Sequence, residues 1–179
     1  MDQFLPFPIQ ASGEHSEGDP NIPQKPKRKK TSTVRVQYGV LPYRFTPYGA
    51  LEILIVTSRQ TRRWIIPKGW PIRGLKPGKS AAREAFEEAG IRGRLSTKAV
   101  GAFTYEKALD EKDLEVSCEV KVFSLLVKRQ ASVWPEAKQR TTQWVGPAKA
   151  MTLVKEPELK ALISAFARRT AAMMAKMNL

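Results

Sequence analysis

A single histidine and a single cysteine, His15 and Cys118, are all that this 179-residue chain has of either type. One thiol excludes an internal disulfide and fits a reducing cytoplasm, with Cys118 as a small core residue. One histidine, in a polar segment that reads as disordered, leaves little basis for a histidine base or a histidine-ligated zinc. Long apolar runs are missing too. No stretch approaches the roughly 20 residues of a membrane span, and the short apolar run from Phe4 to Ile9 is broken by Pro6 and Pro8. That run lacks a basic start and a long apolar core, which argues against a secretory signal. A soluble, cytoplasmic protein with no membrane partner is expected. Negative charge is also scarce: 31 Lys and Arg stand against 17 Asp and Glu, a formal charge of +14. Such a balance attracts polyanions, whether nucleic acid, phosphorylated metabolites or an anionic surface.

The length suits one domain with tails. Residues 1–30 read as a disordered tail, rich in Pro, Gly and Ser, that closes on the basic run Lys25-Pro-Lys-Arg-Lys-Lys30. Residues 31–170 read as the folded domain, and 171–179 as a frayed, Met-rich end. Val34, Val36, Tyr38, Val40 and Leu41 mark a strand, and Leu51 to Thr57 is a nearly continuous apolar run suited to a strand buried on both faces. Pro47 and Gly49 supply a turn between them. Trp64 to Pro67 is a short strand. Leu95 to Tyr105 and Leu114 to Lys128 read as two more, joined by a charged loop around Asp110 to Asp113, and Gln143 to Val145 as a last one. Pro147 opens a short helix. A final helix starts near Pro157, with Leu159, Leu162, Ile163 and Phe166 at helical spacing. These elements allow a mixed sheet flanked by helices, an α/β or α+β arrangement.

The stretch from Gly69 to Ile91 carries the chemistry. It begins as a Gly/Pro-rich loop, in which Gly78 to Ser80 offer a turn with Ser80 as a candidate N-cap. Ala81 to Ala89 holds fair or good helix formers, and Gly90 suits the left-handed position past the helix end. On that helix Glu84, Glu87 and Glu88 stand at i, i+3 and i+4, so their carboxylates share a face. Like charges at this spacing repel by about 0.2–0.5 kcal/mol per pair, and acids in a last turn oppose the macrodipole. A divalent cation reverses the sign. Mg²⁺ takes oxygen ligands and usually binds one or two carboxylates plus substrate phosphates. The bland alternative is a solvated acidic face neutralised by Arg83, Arg92 and Arg94.

This segment resembles the Nudix box: Gly, five residues, Glu, seven residues, then Arg-Glu-U-x-Glu-Glu-x-Gly-U, where U is apolar. Gly69, Arg83, Glu84, Ala85, Glu87, Glu88, Gly90 and Ile91 are in register, and the family's first Glu is Leu75 here. Outside the box, Thr57-Ser-Arg59, Arg63-Trp-Ile-Ile-Pro67, Pro67-Lys-Gly-Trp-Pro71, Gly101-Ala-Phe103 and Trp134-Pro-Glu136 with Arg140 resemble the bacterial diphosphoinositol polyphosphate phosphohydrolase-like branch.

The resemblance implies an α/β/α sandwich and a hydrolase that cleaves a pyrophosphate linkage with Mg²⁺, or alternatively Mn²⁺. It makes Glu84 and Glu88 the main metal ligands, with the carbonyl of Lys68 or Gly69 nearby. Glu87 is a further ligand or the base. Arg83 orients these carboxylates, or forms an ordinary i, i+4 pair with Glu87. Arg35, Thr57, Ser58, Arg59, Arg140 and Lys155 are the implied substrate contacts. Trp70 and Trp134 stack on a base or fill core and rim. The implied partner is a polyphosphorylated small molecule: a diphosphoinositol polyphosphate, a dinucleoside polyphosphate or polyphosphate. Two alternatives stand beside it: an RNA 5′-end pyrophosphohydrolase, favoured by the charge and the Lys25–Lys30 run, and a non-catalytic nucleotide- or nucleic-acid-binding module, for which Leu75 argues. The oligomeric state is left open.

Overall fold

The computed structural model describes residues 34–109 and 114–177. The tail with His15 and the Lys25–Lys30 run, and the acidic loop at 110–113, lie outside the described residues. The chain forms β1 (Arg35–Phe45), β2 (Leu51–Thr57), β3 (Trp64–Ile65), β4 (Lys68–Gly69), α1 (Pro77–Ala89), β5 (Ile91–Leu109), β6 (Leu114–Gln130), β7 (Thr142–Val145), α2 (Pro147–Leu153) and α3 (Pro157–Met177).

The strands make one mixed sheet in the order β3-β2-β1-β6-β5, with β4 added to β1 and β7 to β2. Only the β1–β6 pairing is parallel among these ladders. Period-two alternation along the central strands splits the core between the two faces. Val40, Leu54, Phe123 and Leu125 pack beneath α1 with Ala81, Ala85 and Ala89. Leu41, Ile53, Ile55 and Val122 turn the other way, onto Leu159, Leu162, Ile163 and Phe166 of α3. This is the expected α/β/α sandwich. Small alanines on the inner face of α1 let that helix lie close to the sheet, and its outer edge carries the glutamates.

Several boundaries move. α1 starts at Pro77, whose fixed φ suits a first helical position, rather than beyond Ser80. Ser80 is therefore not the N-cap: it is buried inside the helix, and its hydroxyl accepts the Ile72 amide at 3.0 Å. β5 begins at Ile91, directly after the helix, not at Leu95, because Gly90 at φ 70° reverses the chain at once. α3 continues to Met177, into the end at 171–179 that was expected to fray. The hairpin after β1 is tight around Pro47 and Gly49: Tyr43 to Phe45 pair with Ile53 to Leu51, and the Ala50 amide donates to Thr46 Oγ1.

β1 sets up the site by changing partner. Its outer half pairs with β2, but Tyr38 and Gly39 pair with Gly69 and Lys68. The strand ends on this side part to admit β4, and α1 crosses the gap.

Candidate active site

Glu88 is the most deeply placed of the three box glutamates, at 4 % exposure. Its two oxygens have different partners: Oε2 accepts the Lys68 amide at 3.1 Å, and Oε1 the Arg140 guanidinium at 2.5 Å. Burial lifts its pKa to about 7, against the opposing pull of Arg140 and of the Lys68 amide. Glu84, one turn earlier, is half-buried and also raised, first by burial and then by the charges of Glu87 and Glu136. Its carboxylate lies against the Gly69 backbone: a side chain there would place its Cβ 2.1 Å from Glu84 Cδ. Any larger residue there would displace that carboxylate. The β4 backbone and the α1 ridge thus form one cradle.

Glu84 and Glu88 open onto a cleft of about 820 Å³. Its walls add Arg59, Arg63, Lys68, Lys107 and Arg140, together with Tyr105 and Glu136. Acid and base are interleaved there, Arg140 bonding both Glu88 and Glu136 and Arg59 pairing with Glu136. Lys68 Nζ donates to Tyr105 Oη at 2.8 Å, and its pKa falls to about 8, chiefly through burial. Among the described residues no cluster of three or more His, Cys, Asp or Glu could hold a metal alone.

The expected residues divide three ways. Glu84, Glu88, Lys68, Gly69, Ser58, Arg59 and Arg140 all meet at the cleft. Glu87 does not line it: its Oε1 takes the Arg83 Nε at 2.5 Å, and both side chains are largely solvated. Arg83 makes the i, i+4 pair with Glu87. With Leu75 in place of the box's first glutamate, and 44 % exposed, Arg83 has no acid from that position to turn towards. Arg35 and Lys155 are exposed and stand off the cleft wall, Arg35 lying 5.8 Å from the Trp70 ring. Thr57 is buried, and its Oγ1 accepts the Thr141 amide. Ser58 Oγ meets Thr61 Oγ1 at 2.7 Å.

Arg140 has a different position from that of a free phosphate ligand. Its side chain is 6 % exposed; Nε donates to Glu136, Nη1 to the Thr57 carbonyl and Nη2 to Glu88. It clamps carboxylates. Trp134 is likewise no stacking platform: its ring covers Gly90, and its Nε1 donates to the Glu88 carbonyl at the end of α1. Trp70 packs against the core beneath Lys107, whose Nζ lies 5.0 Å from the ring centroid.

Sequence reasoning missed Gln37, Arg63, Tyr105, Lys107 and Glu136 as wall residues. Arg63 and Glu136 lay inside quoted motifs, so a signal was there. Tyr105 and Gln37 looked like ordinary strand positions, and only the register brings Tyr105 Oη within 2.7 Å of Gln37 Oε1.

A carboxylate ridge closing a cation-lined cleft on an α/β/α sandwich defines a class of hydrolase. No protein-family model matches the sequence. Nudix hydrolase 21, chloroplastic, of Arabidopsis thaliana is 31 % identical over 147 residues, spanning 80 % of this chain and 71 % of that protein. The Bos taurus diphosphoinositol polyphosphate phosphohydrolase 3-beta is 49 % identical, but over 45 residues, 25 % of this chain and 27 % of that one. Among solved structures, the binary complex of a C. elegans Ap4A hydrolase superposes with a TM-score of 0.59 at 23 % identity, covering 78 % of this chain and 99 % of that one. The chain belongs to the Nudix hydrolase family. It is an enzyme of the pyrophosphate-cleaving kind. No helix among the described residues is long and apolar enough to cross a membrane.

Proposed function

We propose that this chain is a Mg²⁺-dependent pyrophosphohydrolase of polyphosphorylated small molecules, working in the cytoplasm as its lone thiol favours. Diphosphoinositol polyphosphates, dinucleoside polyphosphates and inorganic polyphosphate are the substrates to compare. One observation carries the reading: Glu84 against the Gly69 backbone and Glu88 on the Lys68 amide open onto the same cleft that gathers Arg59, Arg63, Lys68 and Lys107. Anionic ligands for a cation and cationic ligands for phosphate meet there.

The residues present fit a hard divalent ion. The donors are carboxylate and backbone oxygens, and the glycine cradle leaves Glu84 uncrowded. Glu84 and Glu88 would hold the ion, with a β4 carbonyl at Lys68 or Gly69 beside them. When bound, Mg²⁺ acidifies water and offsets charge on phosphoryl oxygens. The protein's own part is positioning. Arg140 and the Lys68 amide pin both oxygens of Glu88, so its orientation is set before substrate arrives. Glu136 fixes Arg140 and pairs with Arg59 at 3.5 Å, which ties the cleft rim to the ridge. The rim cations draw phosphate in, Arg by bidentate hydrogen bonding and Lys as a point charge.

The test is a substrate panel with Mg²⁺, reading phosphate or pyrophosphate release by the wild type and by Glu88→Gln. A triphosphorylated oligoribonucleotide is included, so that RNA end processing shows as its own outcome. The wild type should turn over at least one small-molecule class. Glu88→Gln should lose about 100-fold or more of kcat, about 2.7 kcal/mol of transition-state stabilisation. Undiminished turnover in that variant would remove the mechanism.

A further inference from the structure

Glu156 is buried at 7 % exposure, and its Oε2 has no hydrogen-bond partner. Its Oε1 lies 3.3 Å from Arg63 Nη1. A carboxylate held in this way is poorly compensated, because removing it from water is repaid only by good geometry and by bonds to both oxygens. A purely structural role at the head of α3 would bring amide donors to that second oxygen, and none is present. The pair is better explained by where it holds Arg63.

Arg63 lies on the cleft wall away from the α1 ridge, with its guanidinium 5.4 Å from the Tyr105 ring centroid. Lys68 Nζ is 4.3 Å from the same centroid, and Lys107, two residues along β5 from Tyr105, reaches the cleft with its Nζ 5.0 Å from the Trp70 ring. Two cations thus converge on one aromatic ring, and a third lines the same cleft. Like charges gathered in a half-enclosed cleft repel. An anion seated among them changes that repulsion to attraction, as a cation does on the glutamate ridge.

We propose that Arg63 and Lys68 at the Tyr105 ring, with Lys107 on the same cleft wall, form a subsite for a substrate phosphate beyond the two joined by the scissile anhydride, with Glu156 as the residue that positions Arg63. This rests on the pyrophosphohydrolase reading for its substrate, but not for the binding it predicts. The subsite selects molecules carrying three or more phosphates over simple diphosphates. Arg63 is suited to grip phosphate oxygens because its fork is rigid and always charged. Glu156 fixes the fork so that less side-chain freedom is lost on binding.

Calorimetric titration of inorganic tripolyphosphate into the full chain, in metal-depleted buffer, tests the subsite without catalysis. Arg63→Ala should weaken binding about tenfold, as expected for loss of one charge-assisted phosphate contact. Glu156→Gln should weaken it several-fold, and Glu156→Asp should recover part of that loss. In the Arg63→Ala background, Glu156→Gln should add nothing, since it acts through Arg63. Lys128→Ala, a charge removed from β6 away from the cleft, controls for net charge and should leave affinity unchanged. Thermal melting confirms folding, and the double variant avoids a buried unpaired carboxylate. In turnover, Glu156→Gln should raise KM for substrates with three or more phosphates at constant kcat, and leave KM for a nucleoside diphosphate unchanged. Unaltered tripolyphosphate affinity in folded Arg63→Ala would overturn the subsite even if hydrolysis is seen. A chain that binds tripolyphosphate through these residues but hydrolyses nothing with Mg²⁺ would keep the subsite and remove the hydrolase reading.

Discussion

Gly69 and Glu84 divide one small volume between them, and both functions of the cleft depend on that division. Gly69→Ala drives a methyl into the Glu84 carboxylate, so the ligand must swing away. A displacement of about 1 Å at a catalytic group costs on the order of 100-fold. Steady-state kinetics should show that fall in kcat/KM, with the far-ultraviolet circular dichroism unchanged. Glu88 makes a second residue-scale prediction, through its raised pKa. The folded protein holds this proton more tightly than the unfolded chain does. Its contribution to metal-free stability is therefore complete below the ordinary pKa of 4.5 and lost as pH rises through about 7. Melting of the metal-free wild type between pH 5 and pH 8 should fall more steeply than that of Glu88→Gln. Mg²⁺ should restore the wild type at the upper end, because the ion takes the ionised carboxylate. The shared helical face of Glu84 and Glu88 was readable from their spacing, and the cleft they open onto was marked by the resemblance of their segment to the Nudix box. The roles of Arg140 and Glu87 were not readable. Arg140 meets Glu88 across 52 positions of sequence, and no local pattern encodes such a contact. Glu87 shares a helical face with its neighbours by spacing alone, and the deciding fact is that Arg83, one turn before it, turns to it.

At the scale of elements, α1 is held at both ends by contacts outside the helix. Pro77 starts it without any side-chain cap, and the buried Ser80 hydroxyl instead secures the preceding loop through the Ile72 amide. Ser80→Ala should cost about 1 kcal/mol in urea unfolding, since a part-buried amide loses its partner. Activity should fall with it only as far as the loop from Trp70 to Lys76 loosens. At the other end, Gly90 combines a left-handed backbone with the Trp134 ring stacked 2.8 Å from any Cβ it might carry. The strands were legible because apolar residues alternate or run unbroken. β4 was not, since two residues give no period, and its pairing with Tyr38 and Gly39 arises from β1 parting from β2. The start of β5 was misplaced for a related reason: Arg92, Gly93 and Arg94 read as polar loop, yet they pair with β6 at the sheet edge, where exposed charge is well tolerated.

Across the whole molecule, the positive excess of +14 and the acidic ridge are parts of one design. Cations supplied by the strands and loops line the same cleft as the carboxylates of α1. The sandwich supplies the frame: alanines bring α1 close to the sheet, and the opposite face carries α3 without touching the chemistry. The proposed hydrolysis requires that the ridge hold a divalent ion. The most direct measurement is titration of Mn²⁺ into the full chain, with free ion followed by electron paramagnetic resonance and Mg²⁺ added in competition. At pH 8 the wild type should take up Mn²⁺ that Mg²⁺ displaces, and Glu84→Gln with Glu88→Gln together should abolish the uptake while the protein stays folded. Equal uptake by the wild type and this folded double variant would contradict the account.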